Sequence, residues 1–154
     1  EELDLRDYFG GPDDLADRLG RLDLLWVVGG NTFVLARAMG AAGFPAALHR
    51  RAGTGDGFVY AGYSAGACVA GPDLRGLELI DEPDLVVAGY PDGIEAAGLG
   101  LVDFRIVPHW RSDHPESEAA GRAAAYLEEI GLAHRCLTDG DVVVCDDGRL
   151  VEES

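Results

Sequence analysis

The apolar positions of this chain fall into short dense runs separated by stretches with helical spacing. "LDLLWVVGG" (22–30) is apolar at nearly every position up to two glycines, the pattern of a strand buried on both faces. "GFVYAGY" (57–63) and "LVDFRIVPHW" (101–110) repeat that character, and "ELDLR" (2–6) reads as a further strand. Between them lie helical patterns. "GPDDLADRLGRL" (11–22) has Pro12 near its start, and "TFVLARAMGAAG" (32–43) follows Asn31, which offers an N-cap. "FPAALHRRAG" (44–53) reads as another helix, and "PESEAAGRAAAYLEEIG" (115–131) is the clearest one, with Ala123, Leu127 and Ile130 at helical spacing.

Residues 71 to 98 scatter Pro, Gly and Asp and predict irregular structure. The chain closes on three short strand patterns, "AHRCLTDG", "DVVVCDDG" and "RLVEE", with Asp147-Gly148 as a hairpin turn. Strands alternating with helices imply an α/β fold with a mostly parallel sheet. At 154 residues the chain reads as a single domain (1–154), with no internal repeat.

Charge narrows the partners. Twenty-eight carboxylates face 12 bases, all arginine, for a formal charge of −16. A nucleic-acid partner is disfavoured, because neutralising phosphates needs clustered cations. No apolar run reaches the ~18 residues of a membrane helix, so no membrane partner is expected. Three cysteines (Cys68, Cys136, Cys145) in helix or strand context suggest reduced thiols and a cytoplasmic location.

The chemistry gathers around Ser64. Gly62-Tyr63-Ser64-Ala65-Gly66 fits G-x-S-x-G, after a predicted strand and before a predicted helix. In that context a sharp turn lifts the serine hydroxyl out of the sheet. Its neighbours must be small so that strand and helix can cross. A nucleophilic serine needs a base, and the base needs an acid to orient it. His49, beside Arg50 and Arg51, suits a solvated helix face, and His134 sits at a helix-to-strand junction. His109 and His114 lie in "VPHWRSDHPES", at the C-terminal end of a predicted strand, where sites of open α/β sheets assemble. His109 is the expected base and His114 the second candidate. Asp139, in "LTDG" where a strand gives way to a turn, is the expected acid, ahead of Asp103 and Asp113. Gly29-Gly30 at a strand end can turn a backbone N–H toward Ser64, completing an oxyanion hole with the N–H of Ala65. The order Ser, His, Asp differs from the Ser, acid, His order of α/β-hydrolases. No metal ligand set is expected, since His109 and His114 lack a convincing third partner.

Four segments together resemble the peptidase E family of aspartyl dipeptidases, related to cyanophycinase and more distantly to class I glutamine amidotransferases. They are "VVGGNTFVL" (27–35), "YAGYSAGACVAGP" (60–72), "GLGLVDFRIVPHWRSDHPES" (98–117) and "LTDG" (137–140). The resemblance implies a three-layer α/β sandwich with a doubly wound sheet of the class I glutamine amidotransferase kind. It makes Ser64 the nucleophile, His109 the base, and the N–H groups of Gly30 and Ala65 the oxyanion hole. The family's third residue is usually a glutamate in a "PEG"-like turn; here the turn reads "TDG", which places Asp139 there. Relatives carry an early strand and helix before the first matched segment, so the domain is expected to be N-terminally short. Aspartyl dipeptidases also carry an arginine one helical turn before the position of Arg122, where this chain has Ala119. Asn31, Arg75 and Arg111 are the expected substrate contacts instead, with Arg105 a further possibility.

The expected activity is a cofactor-free serine peptidase acting on short peptides, possibly N-terminal Asp-Xaa dipeptides. Two alternatives stay open: an esterase or amidase on the same fold, and a catalytically silent binding or assembly module. Glutaminase chemistry is disfavoured because Ser64, not a cysteine, holds the elbow position. A short domain leaves a sheet edge and apolar surface open. A homo-oligomer, such as a dimer, or association with the missing N-terminal segment is therefore expected.

Overall fold

The computed structural model describes the backbone of all 154 residues and every side chain except those of Pro12, Asp13 and Glu153. Two parallel βαβ units organise it. In the first, β1 (Leu24–Val27) runs through α2 (Thr32–Ala41) and α3 (Phe44–Ala52) to β2 (Val59–Gly62). The two strands pair in parallel from Leu24–Val59 to Val27–Gly62. In the second, β3 (Arg105–Val107) leads through α5 (Ser117–Glu129) to β4 (His134–Cys136), paired from Arg105–His134 to Val107–Cys136. Ahead of both lies α1 (Pro12–Leu19). A C-terminal hairpin of β5 (Val143–Asp146) and β6 (Arg149–Glu153) turns at Asp147 and Gly148, with φ of 47° and 73°. Those angles are what an Asp-Gly hairpin turn requires.

The larger core forms where α1, α2 and α3 cover one face of β1. Leu15 and Leu19 meet Leu25, Val27, Phe33, Met39, Phe44 and Leu48, all buried. A second cluster packs Ala120, Ala123, Ala124 and Leu127 of α5 against Val107. The two units are tied through the segment after β2. The Leu99 N–H donates to the Val69 carbonyl at 2.7 Å, and the Cys68 thiol reaches the Ile106 carbonyl at 3.5 Å.

Three expectations are corrected. Residues 2–6 form no strand: a 3₁₀ turn occupies Leu5–Tyr8, because the Asp4 carboxylate accepts the Arg6 N–H at 2.9 Å and curls the backbone locally. The strand expected over 101–110 is only Arg105–Val107; the preceding residues spend their N–H groups on the Val69–Gly71 carbonyls instead. The run 22–30 is not buried on both faces. Leu25 and Val27 are buried, whereas Leu24, Trp26 and Val28 are 55%, 59% and 58% exposed. Among the described residues no helix is long and apolar enough to cross a membrane.

Candidate active site

Each side chain of the expected triad follows the C-terminal end of a different parallel strand. Ser64 stands two residues past β2, His109 two past β3, and Asp139 three past β4. The two parallel pairs, which are separate two-stranded sheets, thus each carry triad candidates at their carboxyl ends.

Ser64 begins the short helix α4 (Ala65–Cys68) with φ 50° and ψ −122°. That backbone costs on the order of 1–3 kcal/mol for a residue with a Cβ, and the surroundings enforce it. The carbonyl of Ser64 accepts the N–H groups of Ala67 and Cys68, both at 2.9 Å, while the Gly66 N–H closes on Tyr63 O at 3.0 Å. The crossing of β1, β2 and α4 is too close for side chains. A Cβ on Gly66 would lie 2.2 Å from the Val27 carbonyl oxygen, and one on Gly62 would lie 2.6 Å from the Gly66 backbone. Gly29 is less tightly placed, since a Cβ there would sit 3.1 Å from the Ser64 Cβ. The next residue, Gly30, takes φ 134°. Ala65, as the first residue of α4, has an N–H that precedes the first intrahelical bond.

His109 also adopts a left-handed backbone, φ 57°, just after buried Pro108. Its Nδ1 lies 2.7 Å from Asp139 Oδ1 and its Nε2 3.2 Å from Ser64 Oγ. A carboxylate only accepts, so Nδ1 carries the proton and Nε2 is left to accept from the serine hydroxyl. The hydrogen bond from His109 holds the Asp139 carboxyl below the ordinary carboxylate value. The acid's turn is anchored at both ends. Asp139 N–H donates to Ser112 Oγ at 2.8 Å, and Asp141 Oδ2 accepts the Thr138 N–H and hydroxyl at 2.8 and 2.6 Å. Trp110 N–H reaches the Leu137 carbonyl at 3.0 Å, binding the base's loop to the strand that carries the acid.

A cleft of about 310 Å³ opens over this group, lined in part by Tyr63, Ser64, Ile106, His109, Thr138 and Asp139. The expected substrate contacts lie differently. Asn31 caps α2: its Oδ1 accepts the Phe33 and Val34 N–H groups at 3.0 and 2.9 Å, and its Nδ2 donates to Glu82 O at 3.1 Å. Arg75 pairs with Asp73 at 2.7 Å, which the buried Arg105 shares. Burial raises the Asp73 carboxyl, but hydrogen bonds from Arg75 and Arg105 outweigh it and hold the group well below its usual range. Arg111, two residues beyond the base, packs its guanidinium 4.1 Å from the centre of the Trp110 ring. Burial pushes the Cys68 thiol up to about 12, so it is a neutral core group.

His109, His114 and Glu116 place ligand-type atoms within 4.8 Å of one another. They do not converge on a cation. The two rings stack at 3.7 Å with planes 10° apart, so their lone pairs lie in nearly parallel planes, and both nitrogens of His109 are engaged. That stack, and the brace supplied by Ser112, carry no signal in the sequence beyond the residues' nearness to His109. The Thr138–Asp141 brace does carry one, a polar pair at turn spacing.

The profile of peptidase family S51 matches residues 9–152. The chain belongs to peptidase family S51. A protein named Peptidase E from Streptomyces coelicolor is 33% identical over 154 residues, covering 97% of this chain and 59% of that protein. An uncharacterized peptidase of Pasteurella multocida is 31% identical over 107 residues, covering 70% and 48%. This S51 chain thus spans roughly half to three-fifths of the length of these curated relatives. A crystal structure of a candidate peptidase E protein from Listeria monocytogenes superposes with a TM-score of 0.80 at 21% identity, over the whole of this chain and 69% of that one. The α/β architecture with parallel strands is therefore the fold of that structure.

Proposed function

We propose that this chain is the catalytic portion of a serine peptidase that hydrolyses short peptides through a Ser64–His109–Asp139 triad. The observation that carries the reading is the unbroken hydrogen-bonded line Asp139–His109–Ser64 at 2.7 and 3.2 Å, opening into a cleft. Ser64 Oγ attacks the scissile carbonyl while His109 Nε2 takes its proton. The N–H groups of Gly30 and Ala65 hold the oxyanion, and the ion pair with Asp139 stabilises the imidazolium. The imidazolium returns the proton to the leaving amine, and the acyl-enzyme remains. Water, deprotonated by the same imidazole, releases the acid and restores Ser64.

Peptides with an N-terminal aspartate are the first substrates to test, supported by the likeness to a relative named Peptidase E. For an acidic side chain Arg111 is the favoured partner, because the charge of Arg75 is already held by Asp73. A fluorophosphonate probe tests the core of the reading. It labels Ser64 in the native protein and not in Ser64→Ala, and the same pair is run on peptides beginning with Asp, Asn, Glu and Ala. A folded native protein that neither labels nor cleaves would make the chain a silent member of its family. Cleavage surviving in Ser64→Ala would remove Ser64 as the nucleophile.

A further inference from the structure

We propose that His114 is a positioning residue for the base, acting through the face of the His109 ring rather than through any contact with substrate. This rests on the reading of His109 as base. Both edges of the His109 ring are fixed by hydrogen bonds, to Asp139 through Nδ1 and to Ser64 through Nε2. Two such bonds along one axis leave the ring free to rock about that axis. The missing restraint is a surface against its face. His114 provides it, with ring centroids 3.7 Å apart and planes within 10°.

The loop is built to hold that stack. Its backbone reverses through left-handed residues at His109 and Arg111, φ 57° and 55°, which brings a residue five positions on back over the base. The Ser112 N–H closes on His109 O at 3.3 Å, and the Ser117 N–H on His114 O at 3.0 Å. His114 Nδ1 accepts the Glu116 N–H at 3.2 Å. That bond needs an unprotonated Nδ1, so it favours the neutral ring with its proton on Nε2. The tautomer matters because His109 becomes an imidazolium during acylation. A neutral neighbour tolerates that charge, whereas a protonated His114 would oppose it at stacking distance. Among the described residues, the carboxylates in ion-pair range are Glu116, 3.9 Å from His114, and Asp139, 2.7 Å from His109. Each ring thus has its own anion.

Two variants and two readouts decide this. His114→Ala removes the stack and should lower kcat about 10- to 100-fold with KM little changed, the scale on which ~1 Å misplacement acts. His114→Phe keeps a flat ring and should restore kcat to within a few-fold above the acid limb. By NMR, ring protons of His109 and His114 in the native protein should show cross-ring NOEs, as rings stacked at 3.7 Å require. In His114→Phe the His109 ring protons should show NOEs to the substituted ring, and in His114→Ala they should lose them. An unimpaired His114→Ala, or a His114→Phe variant as slow as it, overturns the positioning role; absence of the cross-ring NOEs in the native protein overturns the stack. The NMR arm needs no turnover. A native protein that fails to label at Ser64 would therefore sink the peptidase reading while leaving the pairing of His109 and His114 to be judged separately.

Discussion

Two regions of this molecule draw on similar apolar runs and end very differently. At the carboxyl edge of β2, β3 and β4, small and apolar residues close into a fixed arrangement in which even one extra methyl has no room. Along β1 and just past it the equally apolar Leu24, Trp26 and Val28 stay more than half exposed. A concavity of about 570 Å³, larger than the cleft over Ser64, follows this flank past Leu24, Trp26 and Val28. Concavity alone therefore does not mark the chemistry here. What marks it is the convergence of strained backbone and hydrogen-bonded polar groups. Apolar character states what a face prefers, and only contacts state what covers it.

The largest effect is expected where the arrangement is tightest in chemistry. Asp139→Asn keeps the shape of the turn but lets His109 take the wrong tautomer, and should cost about 10⁴-fold in kcat, as in other serine triads. Asp139→Glu adds a methylene to a turn already pinned by Ser112 and by Asp141, and should cost about 10- to 100-fold. Steady-state kinetics on one peptide measures both; equal rates in all three proteins would remove Asp139 from the mechanism. The pH profile sharpens the point. The Asp139 carboxyl is held below its ordinary value, so its ion pair is fully present above that value and is lost only as pH falls through the lowered one. Above the ordinary carboxylate range, about pH 4, protonation of Asp139 should therefore not limit activity.

Next in size is a steric test of the same region. Gly66→Ala places a Cβ 2.2 Å from the Val27 carbonyl oxygen, a backbone atom that cannot swing aside. Either β1 moves or α4 does, at a cost of about 3 kcal/mol, the upper end of overpacking penalties. Urea unfolding should show the loss, and Ser64 labelling should fall with it. A variant as stable as the native protein would mean that the elbow is looser than this geometry.

That contrast also explains what could be read from the sequence. Gly62, Ser64 and Gly66 were legible because the elbow dictates residue size at fixed offsets, and a strand before them sets their place. His109 and Asp139 were legible as candidates because each follows an apolar run that ends in Pro or a turn. Neither run says which ring nitrogen meets which oxygen, so the pairing itself had to come from the fold. Asn31 illustrates the opposite case. The N-cap signal that placed it also consumes its amide, and nothing in the sequence separates a capping Asn from a binding one. The strand expected at 2–6 failed because Asp4 offers the backbone a local partner that alternation does not register. The run 22–30 misled for a subtler reason. Continuous apolarity is the signature of burial on both faces, but of this strand the described residues bury only Leu25 and Val27.

The smallest effect on stability, and the sharpest test of that flank, comes from Trp26. Its ring is 59% exposed and tilts toward Tyr63, itself half exposed, at a centroid distance of 6.2 Å. Little area would be lost on truncation, so Trp26→Ser should change the unfolding free energy by less than about 1 kcal/mol. Association is where it should register. A row of Leu24, Trp26, Val28 and Val59 beside a strand that pairs with β2 alone among the described residues offers both an apolar patch and an unpaired edge. The 154-residue protein is expected to self-associate through this face. Light scattering should give a mass above that of one chain, and Trp26→Ser combined with Val28→Ser should return it toward the monomer. A monodisperse monomer for the native sequence would break the comparison, because the bare flank would then be an ordinary surface. An oligomer that the double variant leaves intact would move the interface elsewhere while leaving the triad predictions untouched, since Ser64, His109 and Asp139 stand at the strand ends rather than on the outer face of β1.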